Sequence, residues 1–190
     1  MSDALPPDLR DVSEQLEAAD RDARALVADL DDARANWQPD EGRAWSVAQC
    51  LDHLARATNE YLVPMEQALA RARRRGGLRR GPVEPGRLAG WFIRLMEPPV
   101  GRRFRAPHSI VPASALPVGE ALARFLAAQA AARRLLSANA DLDLSVRFAN
   151  PYVSGLRFRT AAGFRIIAAH DRRHLWQAWR VRSAAGFPGA

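Results

Sequence analysis

Lysine is absent from this 190-residue chain, and all 28 of its basic residues are arginines. A lysine-free sequence with abundant alanine is typical of a high-GC coding bias, which raises the isoelectric point without requiring an acidic partner. The formal net charge of +7 still attracts anions weakly. Charge alone therefore predicts no nucleic-acid partner, and no recognisable nucleic-acid-binding module accompanies it.

Cysteine and long apolar runs are also scarce. Cys50 is the only cysteine, which excludes an internal disulfide bond and fits a reducing compartment. Residues 1–11 contain no apolar core of the signal-peptide type, and no stretch reaches the roughly 18 apolar residues of a membrane span. We therefore expect a soluble, cytoplasmic protein without a membrane span, folded as one domain over residues 1–190.

Helical periodicity marks four long segments of the chain. Apolar residues recur at helical spacing over about 8–36, 46–75, 118–140 and 160–183. A short amphipathic stretch at 87–96 interrupts the long connection between the second and third segments. A connection of this length often forms a lid or a pocket wall. The pattern predicts an all-α four-helix bundle with a long crossover between helices 2 and 3.

Local signals predict where these helices begin. Ser46 and Gln49 have the spacing of a capping box, in which each residue binds a free backbone amide near the helix start. Asp8 and Thr160 are expected to be the N-caps of the first and fourth helices. Residues 141–159 are expected to form a loop, because no run of alternating residues predicts strands.

Three of the four histidines fall where one metal site can use them. His170 and His174 are four residues apart, so their Cβ atoms lie roughly 5–6 Å apart on one helix face. His53 follows Cys50 by three residues and precedes Ala57 by four, which places it on or beside the apolar stripe of the second helix. One metal ion would satisfy all three rings. The alternative is three core histidines, each hydrogen-bonded to a backbone group or a carboxylate.

Two motifs resemble those of the DinB-like (DinB/YfiT) superfamily of metal-binding four-helix bundles. Trp45-Ser46, followed by Leu-Asp-His-Leu at residues 51–54, resembles the start of the second helix in this family. His-Asp-Arg-Arg-His-Leu-Trp-Gln at residues 170–177 resembles its fourth-helix signature. The pairs Asn150-Pro151 and Gly163-Phe164 also suit the pattern. The resemblance covers most of the chain, in the same order.

The resemblance implies a bundle of up-down-down-up topology with a divalent metal ion. The family's ligands are one histidine of the second helix and two of the fourth, which match His53, His170 and His174. Zinc or nickel is the expected ion. Characterised relatives include thiol-dependent transferases and isomerases, so a low-molecular-weight thiol such as bacillithiol or mycothiol is an implied cofactor. We therefore expect a metal-dependent thiol S-transferase or hydrolase that acts on a small molecule; a homodimer is compatible with this size.

Two other classes of protein remain open from the sequence. In the first, the chain is a non-catalytic binding or stress-response protein whose bundle the metal stabilises. In the second, its arginines bind nucleic acid, which would require one contiguous basic surface. For the arginine-rich segment we favour a solvated helix end over binding of an anionic substrate, a nucleic-acid backbone or a membrane surface. The arginines of this segment are Arg71, Arg73, Arg74, Arg75, Arg79, Arg80, Arg102, Arg103 and Arg105.

Several residues near the histidines are candidates for smaller roles. Asp52 and Asp171 adjoin the histidines but are expected to point away from the bundle axis, which favours hydrogen bonding to a ligand or a surface position. His108 is expected to be an exposed loop residue rather than a fourth ligand, and Cys50 a small core residue. No general base is assigned. Trp176 and Trp179 are expected to pack or to form an interface. Tyr61 and Tyr152 can each donate a hydrogen bond if they face a pocket.

Overall fold

Six α-helices make up most of the computed structural model, which describes residues 5–101 and 105–189. The helices are α1 (Pro7–Val27), α2 (Asp32–Ala35), α3 (Val47–Arg74), α4 (Arg87–Met96), α5 (Val118–Ser137) and α6 (Thr160–Arg182). The antiparallel strands β1 (Arg147–Ala149) and β2 (Arg157–Arg159) lie between α5 and α6, and short 3-10 turns cover Asp40–Gly42 and His108–Ile110. The predicted all-α class is confirmed.

The helices α1, α3, α5 and α6 form the body of the protein. Both α1 and α3 pack against α5 and against α6, while α4, from the long crossover, packs on α6. The up-down-down-up order of helix directions stays a prediction. Within residues 5–101 and 105–189, no helix combines the length and the apolar character that crossing a membrane requires.

Two apolar clusters fill this body, and they meet near its middle. On α6 the first cluster takes residues 161–168 and the second takes residues 175–181. On α3 the second cluster takes residues 47–54 and the first takes residues 61–69. Several buried polar side chains lie at or next to this boundary, namely Asp52, His53, Thr58, Gln129, Asp171, Arg173 and His174. The fold therefore places a layer of polar side chains between the two apolar clusters.

The predicted capping box fixes the start of α3. The Ser46 Oγ accepts a hydrogen bond from the Gln49 backbone N at 3.2 Å, and the Gln49 Oε1 accepts one from the Ser46 backbone N at 3.0 Å. The Gln49 Nε2 also donates to the backbone oxygens of Ala113 and Ser114, both at 3.2 Å. Gln49, which completes the capping box of α3, thus also holds the end of the crossover against this helix.

The first helix is shorter than its periodicity predicts. It ends at Val27 instead of continuing to about residue 36, and a separate short helix, α2, follows. The Asp31 Oδ1 caps α2 by accepting a hydrogen bond from the Arg34 backbone N at 2.8 Å. An aspartate that can cap a new helix competes with continuation of the old one.

The two other predicted N-caps are wrong by one or two positions. Pro6 rather than Asp8 precedes α1, and Arg159 rather than Thr160 precedes α6. Thr160 is the first residue of α6, and its Oγ1 donates to the Val146 backbone oxygen at 2.9 Å. Its hydroxyl group therefore binds the neighbouring hairpin instead of its own helix.

The expected loop over residues 141–159 contains the hairpin of β1 and β2. Phe148 pairs with Phe158 across the two strands, and both rings are buried in the first apolar cluster. Each strand has only three residues, which is too short for alternation to show in the sequence. Burial of the two rings against the helices, rather than strand periodicity, accounts for this hairpin.

Gly163 allows α6 to approach α3 and β1 closely, and substitution with alanine tests this packing. A Cβ atom at Gly163 would lie 2.7 Å from the Met65 Sδ and 2.9 Å from the Phe148 Cε1. We expect Gly163→Ala to lower the free energy of unfolding by about 1–3 kcal/mol, because both neighbours are fully buried and must shift. Urea unfolding followed by circular dichroism measures the change.

Gly119→Ala is the matched control, since Gly119 lies in α5 and a Cβ there meets nothing within 4 Å. We expect this variant to be as stable as the wild type or more stable, because alanine favours the helix. Equal stability of both variants would contradict the close packing at Gly163.

Candidate metal centre

The structure brings His53 of α3 together with His170 and His174 of α6. One ring nitrogen from each histidine lies within 4.8 Å of the corresponding nitrogens of the other two. The Nε2 atoms of His53 and His170 are 3.3 Å apart, and the three ring centroids are separated by 4.6–5.0 Å. These three side chains can therefore hold one metal ion; that they do so stays a prediction.

Hydrogen bonds orient two of the three rings. The Nδ1 of His53 donates to the Ile110 backbone oxygen at 2.8 Å, and the Nδ1 of His174 donates to the Gln177 Oε1 at 2.9 Å. A neutral imidazole that donates through Nδ1 carries a lone pair on Nε2. Both rings thus present a metal-binding nitrogen, in the arrangement typical of metal-ligating histidines.

The surroundings keep the three imidazoles neutral. Burial lowers the pKa of His53, and the hydrogen bond to Ile110 opposes this only in part. Burial lowers the pKa values of His170 and His174 further, and the neighbouring histidines add to the effect because like charges repel. Neutral imidazole is the form that binds metal, so the site does not have to lose protons near neutral pH.

The spacing of the nitrogens fits one ion. Two histidine nitrogens that bind one ion at about 2.0–2.1 Å lie about 3.3 Å apart at a tetrahedral angle. The Nε2 atoms of His53 and His170 have this separation. No carboxylate belongs to the cluster in the described residues, and His108 lies exposed outside it, as the sequence predicts. The donor set is thus three neutral nitrogens.

A cavity of about 840 Å³ opens beside the three histidines. The crossover supplies part of its wall through Met96, Val100, Ile110 and Val111. The long connection therefore forms a pocket wall, one of the two roles that its length suggests. A volume of this size lies within the usual range of about 300–1,000 Å³ for small-molecule sites.

Two tryptophans of the wall have roles that the sequence did not predict. The Trp45 ring lies 4.6 Å from the His53 ring and 5.7 Å from the His174 ring, centroid to centroid. Trp176 also lines the cavity, and the expectation that it packs or forms an interface stays a prediction. Trp179 does pack in the second apolar cluster, and its Nε1 donates to the Asp22 Oδ1 at 2.8 Å.

Tyr61 and Tyr152 both line the cavity, and each hydroxyl has one hydrogen-bond partner elsewhere in the chain. The Tyr61 hydroxyl accepts a hydrogen bond from the Asn150 Nδ2 at 2.8 Å. The Tyr152 hydroxyl donates to the Ala57 backbone oxygen at 3.4 Å. Burial raises the pKa of both phenols, so both stay protonated. They therefore shape the apolar part of the wall.

Asp52 and Asp171 are buried, so a surface position for either is wrong. Asp52 accepts hydrogen bonds from Arg56 at 2.8 Å, Arg124 at 2.9 Å and the Ala113 backbone N at 3.0 Å. Burial opposes the effect, but these bonds hold the pKa of Asp52 below its ordinary value. Asp52 thereby connects α3 to α5 and to the crossover at Ala113, three residues after Ile110, whose backbone oxygen orients His53.

Asp171 lies in a different setting. The Gln129 Nε2 donates to one of its oxygens at 3.0 Å, and burial raises the pKa of this carboxyl group to about 8. Periodicity could not predict this burial, because it depends on a contact with Gln129 of α5, 42 residues away in the chain.

Cys50 is a buried core residue, as the sequence predicts. Its side chain belongs to the second apolar cluster and is not among the residues that line the cavity. Burial raises the pKa of its thiol to about 12, so the reactive thiolate form is suppressed.

The arginine-rich segment divides into separate settings. Arg73 pairs with Asp141 at 3.3 Å, and Arg79 pairs with Asp8 at 2.6 Å. Arg71 and Arg75 line a second, smaller groove, whereas Arg105 lines the main cavity. Arg102 and Arg103 lie outside the described residues. These different settings do not favour one continuous nucleic-acid-binding surface.

Comparison with known proteins identifies a family. Residues 15–178 match the family model of the DinB superfamily. The matched range contains all three histidines and both motifs on which the resemblance depends. No curated protein and no solved structure matched the chain.

The bonds of Asp52 predict a measurable loss of stability when its charge is removed. We expect Asp52→Asn to lower the free energy of unfolding by about 1–3 kcal/mol, because two charge-assisted hydrogen bonds are weakened and a buried group loses partners. Urea unfolding followed by circular dichroism measures the change.

Glu120→Gln is the control, since Glu120 binds the same Arg124 at 2.6 Å but is about half exposed. Exposed ion pairs contribute little, so its unfolding midpoint should stay close to that of the wild type. If Asp52→Asn is as mild as the control, Asp52 does not anchor the crossover.

Proposed function

The chain belongs to the DinB superfamily, and we propose that it is a divalent-metal-dependent enzyme acting on a small molecule. His53, His170 and His174 hold the ion, with zinc or nickel as the expected metals. The observation that carries the proposal is the position of this cluster on the wall of a cavity of about 840 Å³. Thiol S-transfer and hydrolysis are the two reaction classes that this site suits.

The donor set supports this chemistry. Three neutral imidazoles leave the full charge of a divalent ion in place, and three protein ligands leave room for another. Such an ion supplies Lewis acidity, which lowers the pKa of a water or thiol bound to it. Residues of the chain position the ligands. Ile110 orients the His53 ring, Gln177 orients the His174 ring, and the Trp45 ring covers one side of the cluster.

The cavity favours an enzyme over a protein that uses the metal only for stability. A purely structural site has no need of a neighbouring pocket, and structural zinc sites usually have four protein ligands. Here the described residues supply three histidines, and the wall beside them combines apolar and charged groups. That combination is typical of a small-molecule site.

Metal content and activity test the proposal together. We expect the purified wild type to contain about one ion per chain by inductively coupled plasma mass spectrometry, either as isolated or after reconstitution with zinc or nickel. The loaded protein should transfer a low-molecular-weight thiol to 1-chloro-2,4-dinitrobenzene or hydrolyse 4-nitrophenyl acetate. His170→Ala should lose both the ion and the activity, because two histidines bind the metal far more weakly than three.

His108→Ala is the matched control for this experiment. His108 is exposed and lies outside the cluster, so both metal content and rate should remain at the wild-type level. A wild type that takes up neither zinc nor nickel would overturn the proposal. Metal uptake with no change in either reaction on removal of the ion would favour the non-catalytic, metal-stabilised alternative.

The bond between His174 and Gln177 makes a separate prediction. Groups that orient a ligating histidine typically contribute 10–100-fold to metal affinity. We expect Gln177→Ala to weaken binding of zinc by about this factor, measured by competition with a chromophoric chelator. Gln67→Ala on the exposed face of α3 should leave the affinity unchanged. Equal affinities in the two variants would show that Gln177 does not orient the ring.

A further inference from the structure

Positive charge dominates the wall of the cavity. Four arginines line it, namely Arg43, Arg105, Arg173 and Arg180, whereas Asp40 is the only acidic residue among its described lining. A cavity with walls of one sign attracts ligands of the other sign. This excess is present even before a metal ion adds to it.

The cavity is elongated along one face of α6. Its lining residues on this helix recur at helical spacing from Ile166 to Val181. With a rise of about 1.5 Å per residue, Arg180 lies roughly 9 Å beyond His174 along the axis, and Ile166 lies roughly 6 Å before His170. The histidines thus lie between two ends of one groove.

The two ends differ in character. The end near Ile166 is apolar, and its other wall residues are Tyr61, Phe92, Met96, Tyr152 and Ile167. Towards Arg180 the wall carries the indole ring of Trp176, 5.0 Å from the Arg180 Cζ. The Trp45 ring lies 5.7 Å from the His174 ring, and Arg43 precedes Trp45 by two residues in the same lining. An occupant that satisfies both ends has an apolar body at one end and a negative charge at the other.

Arg180 is prepared to bind an anion. Its Cζ lies 5.0 Å from the centroid of the Trp176 ring, which holds the guanidinium group against an aromatic surface. Within the described residues no carboxylate pairs with it. Arg43, another arginine of the lining, donates to the Asp40 backbone oxygen at 3.0 Å and pairs with the exposed Glu41 at 3.8 Å, which is a weak ion pair that a ligand can replace. A guanidinium group held in this way can bind a carboxylate through two parallel hydrogen bonds.

We propose that the substrate is an elongated, amphipathic small molecule with a carboxylate or similar anionic oxygen group at one end. Arg180 and Arg43 bind the anionic group, the apolar end of the groove binds the body, and the reacting group lies between them at the histidines. The position of the reacting group rests on the proposed function. The anion site rests only on the arginines and the indole ring, so it can be tested in protein without metal.

The test compares two probes of the same size and shape, of which only one carries a negative charge. Isothermal titration calorimetry measures binding of 6-phenylhexanoate and of the neutral 6-phenylhexanamide to the full chain after treatment with a chelator, and again after loading with zinc. We expect the acid to bind about tenfold more tightly than the amide in both forms, since charge-assisted hydrogen bonds to the arginines are available only to the acid.

Substitution of one arginine locates the site. Arg180→Met should remove most of the preference for the acid, and Arg180→Lys, which keeps the charge but not the fork, should restore part of it. Arg74→Met is the matched control. Arg74 is exposed and lies outside the cavity, and its substitution changes the net charge by the same amount. Circular dichroism checks that each variant remains folded.

Each result has a defined meaning. A preference for the acid that Arg180→Met abolishes and Arg74→Met preserves supports the proposal. Equal affinity for the two probes, no measurable binding of the acid, or a preference that depends on zinc and survives Arg180→Met overturns it. Metal uptake without any preference for the acid would refute this inference but leave the proposed function standing. A preference for the acid in a protein that binds no metal would support this inference and refute the proposed function.

Discussion

Burial of three imidazoles at the boundary between two apolar clusters is the constraint on which the rest of the structure depends. Each neutral ring has two nitrogens that need partners, and a buried polar atom without one is costly. The chain itself satisfies the Nδ1 atoms of His53 and His174. The nitrogens that converge between α3 and α6 include the Nε2 atoms of His53 and His170, which lie within hydrogen-bond distance of each other at 3.3 Å. One cation can bind the converging nitrogens together, which is the role that we propose for them.

The same constraint determines where the long crossover lies. Gln49, Asp52 and His53 fall on one turn of α3, and each binds backbone atoms of the crossover between Ile110 and Ser114. The part of the crossover that orients His53 is thus held in place by α3, the helix that carries His53. Fold and site share one set of contacts, so the crossover is at once the connection between α3 and α5 and a wall of the cavity.

The sequence predicts what depends on local spacing. The four-residue separation of His170 and His174, the capping box of Ser46 and the short helix at 87–96 all follow from residues close together in the chain. The burial of Asp171, by contrast, depends on contact with Gln129, 42 residues away. The position of Trp45 against two imidazoles depends equally on how α6 packs on α3. Such contacts leave no periodic signal, and three-residue strands are too short to show one.

Charge connects the candidate metal site to the groove around it. A site with carboxylate ligands neutralises part of a divalent ion, whereas three histidines neutralise none of it. Arginines on the same wall add to this positive charge, and Asp40 offsets only one of them. An uncompensated charge of this size in a partly enclosed cavity is stabilised by an anion. An acidic substrate would then complete the electrostatics of the site as well as occupy its volume, which links the ligand set of the metal to the choice of substrate.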